Sequence, residues 1–364
     1  MAQSISFYSG SPLIGTPIVY KVIPTAHLSA YTFHRTILKV YAALETEQNY
    51  SIFEFATPIE STADVFIDIS SALRAVADTY EYSPTPPSRY PYIKFRLEAY
   101  DEWMQNGELH TNVGLVYYPT EENYLYAFMG GFTDLERITA TDSDGRSAYR
   151  FSRKPVTPEI VHVNKGYIRP ANFTAAISYV KSTNGSYPST PTAGPKSYAV
   201  TGITEGLNNI PITDDDNNSS NNEVVQLYGI NAPAESYEIR FVNGLGCLES
   251  IHVCSLRQTV VSIASEEQII AKQETFKKFS RGIAIKKNNT EKWSLSSGPL
   301  TKDWASWFLH EFLMATWMWI KVNSNWIPCY TSPGESTTLE DRAGNSMFEI
   351  QFTVTLDING SPIY

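Results

Sequence analysis

Apolar and polar residues alternate in short runs over the first part of this chain, and each run ends in a cluster of turn-forming residues. From Ser4 to about Ala140 the runs read ISFYSG, PIVYKVIP, TILKVYAAL, YSIFEFATP, DVFIDI, YIKFRLEAYDEW and NVGLVYYP. A period of two predicts half-buried strands, and their regular spacing predicts a sandwich or jelly roll. One segment breaks the period. Over Ser70 to Tyr80 the residues Leu73, Val76, Ala77 and Tyr80 recur at helical spacing, with Ser70 placed to cap the first turn. This helix is expected to cover an open end or edge of the sheet. The prolines of Tyr82-Ser83-Pro84-Thr85-Pro86-Pro87-Ser88 remove ladder donors, so this stretch is expected to be a long exposed connection.

A polar turn at Thr141-Asp142-Ser143-Asp144-Gly145 closes the first unit, which is placed at 1–148. A middle β region at 149–222 holds EIVHVNKGYIRP, AAISYVK and SYAVTGI, with a Gly/Ser/Pro/Thr stretch from Ser182 to Lys196. It ends in Asp214-Asp215-Asp216-Asn217-Asn218-Ser219-Ser220-Asn221-Asn222, the most polar run of the chain. The C-terminal part, 223–364, restarts with EVVQLYGI, SYEIRFVNGLGCLESIHVC and RQTVVSIASE, with Asn243-Gly244 as a turn signal. After KWSLSSGPL, Thr301 is placed to cap a helix from Lys302, where Trp304, Trp307, Phe308, Glu311, Phe312 and Ala315 share one face. TWMWIKV, NWIPCY, SMFEIQF and TVTLDI then read as strands, with Asn323-Ser324-Asn325 as the turn between the first two. The expected fold is mainly β and multi-domain, sandwich or jelly-roll-like. It carries one short helix in the N-terminal domain and one amphipathic aromatic helix in a C-terminal α+β domain.

The aromatic block from Trp304 to Trp326 holds Trp304, Trp307, Trp317, Trp319 and Trp326, out of 7 tryptophans in all. A membrane-crossing helix needs about 20 predominantly apolar residues, and His310, Glu311, Lys321 and Asn323-Ser324-Asn325 interrupt this one. The block is expected to be the hydrophobic centre of the C-terminal domain, with no membrane insertion.

A length of 364 residues exceeds what one core usually serves, so two or three domains are expected. The 23 tyrosines and 17 phenylalanines, beside only 18% charged residues, agree with strands and aromatic contacts. A net charge of -10 argues against nucleic acid as a partner, because Lys and Arg neutralisation of phosphate supplies most of that affinity. The candidate basic patch, Lys277, Lys278, Arg281, Lys286, Lys287 and Lys292, reads as a solvated face of a strand or hairpin. The start, MAQSISFYSGSPLIG, lacks a secretion signal, and Cys247, Cys254 and Cys329 are too few and scattered for a disulfide framework or a zinc site. They are expected to be free thiols made in a reducing compartment.

Candidate chemistry is thin. The acidic run at Asp214 invites calcium but lacks the spacing of the helix-loop-helix cage, so it reads as a solvated loop. None of the 6 histidines lies in a nucleophile motif. His310-Glu311 lacks the second histidine of a zinc-protease motif, since Met314 stands there. Gly130-Gly131 and Gly244-x-Gly246 lack the lysine or third glycine of a phosphate loop. Asp101 and Glu102 beside Trp103 are the likeliest location for a glycosidase carboxylate, and the sequence places no second carboxylate across from them. No residue is assigned as catalytic, cofactor-binding or metal-binding, and no cofactor is expected. Exposed aromatic rings that stack on sugars make a carbohydrate-binding module the alternative to a structural role.

The segment EIRFVNGLGCLESIHV, followed after a polar stretch by PLTKDWASWFLHEFLMATWMWIKVNSNWIPCYTSPGESTTLEDRAGNSMFEIQFTVTLDINGS, resembles uncharacterised structural proteins of bacteriophages and prophages of Bacteroidota. The shared pattern is a strand with R-F-x-N-x-x-G, a helix entering an aromatic strand, a W-I-P hairpin and a closing F-x-I-x-F-T-V strand. GTPIVYKVIP with FIDISSALRAV is similar to domains of the same proteins. These are packing motifs at both ends of the chain, with the Asn/Ser-rich middle unmatched, so no functional residue carries over. The resemblance implies a non-enzymatic virion component, of the tail or baseplate. Such a subunit is made in the host cytoplasm and partnered by copies of itself and neighbouring virion proteins. In the alternative reading, an adhesin or receptor-binding protein, the partner is a host surface glycan. The long loops at Tyr82 to Ser88, Ser182 to Lys196 and Asp214 to Asn222 are expected to order against neighbouring subunits.

Overall fold

A computed structural model describes residues 4–10, 13–25, 30–59, 64–112, 115–117, 125–131, 152–155, 157–170, 197–212, 223–268, 283–331 and 347–356. The fold is mainly β, as the sequence pattern predicts. AAISYVK, the stretch from Ser182 to Lys196 and the acidic run from Asp214 to Asn222 lie outside the described residues.

The N-terminal runs build a sandwich. In one sheet, β1 (Ser4–Gly10) and β5 (Val65–Asp68) flank β2 (Ile18–Ile23), all antiparallel. In the other, β3 (Phe33–Leu44) lies between β4 (Ser51–Pro58) and β6 (Tyr92–Gln105). The far edge of the long β6 is covered in turn by β7 (Glu108–Thr111), β8 (Leu115–Tyr117) and β9 (Leu125–Phe128). Asn106 and Gly107 make the β6–β7 turn with φ of 54° and 83°, the two left-handed residues that a tight hairpin needs. Alternate residues Ile18, Tyr20 and Val22 face Leu38, Val40 and Ala42, and Phe95, Leu97 and Ala99, across one core.

Helix α1 (Ser70–Ala77) closes that core with Leu73, Val76 and Ala77. Ser70 is not its cap. It is the first helical residue, and Asp68 Oδ1 takes the Ser70 N–H (2.9 Å) together with the Ile18 N–H (3.0 Å). A carboxylate two residues upstream does the work expected of the hydroxyl, and it ties the helix start to β2.

The middle segment EIVHVNKGYIRP forms two strands in different sheets. β10 (Glu159–His162) pairs in parallel with β14 (Glu223–Ile230), which pairs antiparallel with β13 (Gly206–Ile212). β11 (Tyr167–Pro170) pairs with β12 (Ser197–Val200). Asn164, at φ 69°, turns the chain between them.

The C-terminal strands close into a barrel in the order β15 (Ser236–Val242), β16 (Leu248–Gln268), β17 (Ile283–Leu300), β20 (Phe348–Leu356), β19 (Asn325–Thr331), β18 (Met318–Val322). Closure removes free sheet edges, which an α+β domain of separate hairpins would have left. SMFEIQF and TVTLDI are one strand, not two. Asn323 and Ser324, at φ 46° and 70°, make the expected turn between β18 and β19. Helix α2 (Lys302–Trp307) runs on into a π turn (Phe308–Phe312), closed by the Leu313 N–H on the Phe308 carbonyl at 3.0 Å. Trp304, Trp307, Phe308 and Phe312 of this segment fill the barrel between Phe241, Val253, Ile320 and Phe352. Thr301 is the N-cap residue, but its side chain makes no capping bond.

The aromatic block is divided. Trp304 and Trp307 lie inside the barrel, whereas Trp319 and Trp326 pack on its outside, in a second core with Tyr90, Phe128, Tyr167 and Leu248. Trp317 is 38% exposed. Strand alternation causes this, because Met318 and Ile320 take the inward positions of β18. Among the described residues no helix is long and apolar enough to cross a membrane.

Candidate functional site at the junction of the three β units

The two glycine pairs that fail as phosphate loops meet in space. The Gly131 N–H donates to the Gly244 carbonyl at 2.9 Å, and the Gly15 N–H donates to the Gly130 carbonyl at 2.7 Å. A Cβ on Gly130, whose φ is +89°, would lie 2.2 Å from the Leu245 carbonyl carbon. One on Gly131 would lie 2.6 Å from Gly15 backbone. Only bare backbone fits where the sandwich touches the barrel. The opposing turn is held by Asn243, whose Oδ1 accepts the Leu245 and Cys247 N–H groups at 3.0 and 2.9 Å. Gly130→Ala combines overpacking against backbone with a strained φ, so a loss of about 1–3 kcal/mol or more is expected. Limited proteolysis should then cut between sandwich and barrel. Gly107→Ala is the control, since its φ of +83° is similar but nothing lies within 4 Å of an added Cβ. Equal stability of the two variants would refute the seam.

Glu311 belongs to this seam. Arg153 Nη1 lies 3.0 and 2.9 Å from its two carboxylate oxygens, Arg153 Nη2 donates to the Gly131 carbonyl at 2.6 Å, and the Gly244 N–H donates to Glu311 Oε1 at 2.6 Å. His310 points elsewhere, its Nδ1 sitting 2.8 Å from the Ser306 carbonyl of its own helix. The His-Glu pair is therefore no metal half-site. Among the described residues no group of three or more metal-ligating side chains is present.

Behind the seam, beside the start of β16, lies a buried polar cluster. Lys154 donates to Glu159 Oε1 at 2.8 Å and to the Ser250 carbonyl at 2.7 Å, with Glu249 Oε2 at 4.0 Å. Tyr167 donates to Glu159, and Asn243 to Glu249. Lys154, Arg169, Glu159 and Glu249 are all buried, two cations against two carboxylates. Burial raises the Glu249 pKa, while Lys154 and Arg169 oppose that rise. Burial, and then the Glu159 charge, lifts the Tyr167 phenol well above its ordinary value.

Next to the cluster, His162 and His252 stack with ring centroids 5.3 Å apart. His252 Nδ1 accepts the His162 backbone N–H at 2.8 Å, so Nε2 carries the proton and donates to the Gly166 carbonyl at 2.8 Å. Burial lowers the pKa of His252 to about 3, and burial with the Lys165 charge lowers that of His162 to about 4. His162 Nδ1 has no hydrogen-bond partner among the described residues. A cavity of about 100 Å³ lies beside the pair, lined by Glu159, Cys254, Trp304 and Met347 among others.

Both histidines have folded pKa values below the ordinary value of about 6.5, so the unfolded chain binds more protons between those limits. The stability they contribute is complete above about pH 6.5 and is lost as pH falls toward their folded values. Each should steepen the loss by about 1.4 kcal/mol per pH unit in that window. Urea unfolding across this range, with imidazole nitrogen shifts showing both rings neutral at about pH 5, is the check. Two protonated rings in the folded protein would contradict this prediction.

No protein-family model matches this chain. No curated protein matches it either.

Asp101 and Glu102, the location considered for sugar hydrolysis, point to opposite faces of β6. Asp101 is fully buried and accepts from the Thr25 backbone N–H (2.7 Å), the Thr25 hydroxyl (2.6 Å) and the Thr36 hydroxyl. Glu102, one residue on and so on the opposite face of β6, accepts from Arg35 at 2.8 Å. Both are engaged by neighbouring side chains or backbone. Of the cysteines, Cys247 and Cys329 are buried and Cys254 partly so, all free. Burial raises the three thiol pKa values, that of Cys329 to about 12, which makes them poor nucleophiles. Lys277, Lys278 and Arg281 lie outside the described residues, whereas Lys286, Lys287 and Lys292 stand on β17.

A cleft of about 750 Å³ opens in front of the seam, between α1 and the segment after the π turn. Tyr80, Tyr82, Trp317, Arg74, Asp78 and His310 line it. Trp317 stacks on buried Trp319 (6.1 Å between centroids, 23° between planes), and the Tyr82 hydroxyl donates to the Gly246 carbonyl at 3.3 Å. The connection from Tyr82 to Ser88 is tied to its own barrel here, with Arg240 Nη1 donating to the Pro84 carbonyl at 2.6 Å. This corrects the expectation that it orders against a neighbouring subunit. Sequence reasoning had no means of finding the seam or the Lys154 cluster, because their members are far apart in the chain. The isolated glycine pairs were the one visible trace.

Proposed function

We propose that this chain is a non-enzymatic structural subunit of a bacteriophage virion, part of the tail or baseplate. It would be made in the host cytoplasm and work through contacts with copies of itself and with neighbouring virion proteins. The observation that carries this reading is where the chain places its reactive side chains. Lys154, Arg153, Glu159, Glu249, Glu311 and the His162–His252 pair are spent on joining three β units into one body. Rigid joining suits a load-bearing repeat unit, and the packing motifs at both ends of the chain support the virion assignment. Particles purified from cells that carry the gene should contain this chain in many copies, detected by mass spectrometry and labelled microscopy. Its absence from particles would overturn the reading.

One observation favours a second reading, a glycan-binding protein. Trp317 offers an exposed ring backed by Trp319, beside Tyr80 and Tyr82 and the polar Arg74 and Asp78. Rigid amphipathic rings with a few directional polar groups suit recognition of a saccharide. A glycan array with Trp317→Ala as control separates the two, since this reading requires binding that the substitution abolishes.

A further inference from the structure

We propose that the cavity between the β10–β14 sheet and the barrel is a binding site for a small, uncharged, mainly apolar molecule that carries a hydroxyl group. Two buried polar atoms carry the inference. His162 Nδ1 and the Trp307 indole N–H have no hydrogen-bond partner among the described residues, and both residues line this one cavity. A buried polar group left unpaired costs free energy, and two of them beside one void call for a partner inside it. Distant parts of the chain meet here. β10 and the end of β14 supply Ile160, His162 and Ile230, whereas α2 supplies Trp304 and Trp307. An occupant would therefore bridge the middle sheet and the barrel.

The walls set the chemistry of that occupant. Ile160, Ile230, Ile251, Leu300, Trp304 and Phe308 make the lining mostly apolar, which favours a hydrocarbon body. The volume of about 100 Å³ approaches the ~150 Å³ of an apolar cavity that takes a benzene ring. Among the described residues Glu159 is the one charged group in the lining, and Lys154 and Tyr167 already engage its carboxylate. An ionic ligand would find no free counter-charge. Both His252 nitrogens are bonded, and the Ser297 hydroxyl donates to the Gly298 carbonyl at 2.8 Å while it accepts the Ile350 N–H at 3.0 Å. His162 Nδ1 and the Trp307 N–H are what a ligand can use. An indole only donates, so the ligand must offer an acceptor, whereas a neutral imidazole nitrogen takes either role; a hydroxyl answers both. Burial keeps His162 neutral, its pKa lowered to about 4. Met347, 48% exposed, gives the cavity one flexible wall that adapts to ligand shape.

Phenol and toluene, rings of similar size with and without a hydroxyl, test this on the full-length protein. Titrations are followed by the indole ¹H–¹⁵N signals, with that of Trp307 identified by its loss in Trp307→Phe. Phenol should move the Trp307 signal saturably, with a dissociation constant of about 1 mM or tighter. Toluene should bind about tenfold more weakly, since it leaves both polar atoms unpaired. Trp307→Phe should lose about tenfold in phenol affinity, with unchanged circular dichroism and no weakening toward toluene. A Trp307 signal that saturates with neither compound, as a cavity held by water alone would give, overturns the site. Equal binding of phenol and toluene by the wild type overturns it as well, whether or not the variant folds. None of these outcomes depends on the virion reading.

Discussion

Trp307→Ala is expected to unfold the C-terminal barrel or to cost it about 3–5 kcal/mol, the range for deleting a buried large aromatic side chain. The barrel is closed, so its interior must be filled from its own strands and from α2. Trp307 is one of the largest pieces of that filling. Its ring meets Trp304 at 5.4 Å and Phe241 at 5.9 Å, and the Lys154 ammonium lies 5.4 Å from its centroid. A closed barrel cannot collapse onto the void as an open hairpin could, so the cavity term stays near its maximum. Trp307→Phe should be much milder, because the indole N–H has no hydrogen-bond partner among the described residues and the substitution strands no acceptor. Trp304→Phe differs, since it loses the bond from Nε1 to the Thr157 hydroxyl at 3.0 Å. Urea unfolding followed by near-ultraviolet circular dichroism gives the order Trp307→Ala, then Trp304→Phe, then Trp307→Phe. A Trp307→Ala protein with the wild-type midpoint would mean that this ring does not fill the barrel.

The same ring shows what was legible in the sequence. Helical spacing placed Trp304, Trp307, Phe308 and Phe312 on one face, and strand alternation placed β2, β3 and β6, because these signals are local and periodic. What they face is set by closure. Nothing in the sequence near Met318 announces that β18 pairs with β15, and without that pairing the C-terminal part reads as a helix with hairpins. The expected single hydrophobic centre splits for the same reason: alternation puts Trp317 and Trp319 opposite Met318 and Ile320, so Trp319 is buried in the second core and Trp317 is 38% exposed. β13 was missed because GLNNIPI has few β-formers and takes its strand form from β14 alongside. The junction was illegible for a stronger reason. Gly130 meets Leu245, and Lys154 meets Ser250, across separations that periodicity never reaches.

Lys154→Met is expected to destabilise the protein by about 3–5 kcal/mol at neutral pH, since removing one member of a buried charge set leaves its partners unpaired. Met replaces the stem of the lysine but not its ammonium. Glu159 then loses two charge-assisted bonds, the Ser250 carbonyl loses a donor, and Glu249 keeps only Arg169 as a buried counter-charge. The pH dependence separates this from a packing effect. Burial already raises the Glu249 pKa and Lys154 opposes it, so the substitution raises it further. A carboxyl with a folded pKa above its unfolded value of about 4.3 binds more protons when folded, so stability falls as pH rises between the two values. The gap between wild type and variant should therefore be smallest in mild acid and widen toward neutrality. The two stacked histidines titrate in both proteins and largely cancel in the difference. Adding Glu249→Gln to Lys154→Met should recover part of the loss and flatten the pH dependence, because it removes the stranded charge. A pH-independent loss that Glu249→Gln leaves untouched would show that the lysine stem, not its charge, holds the junction.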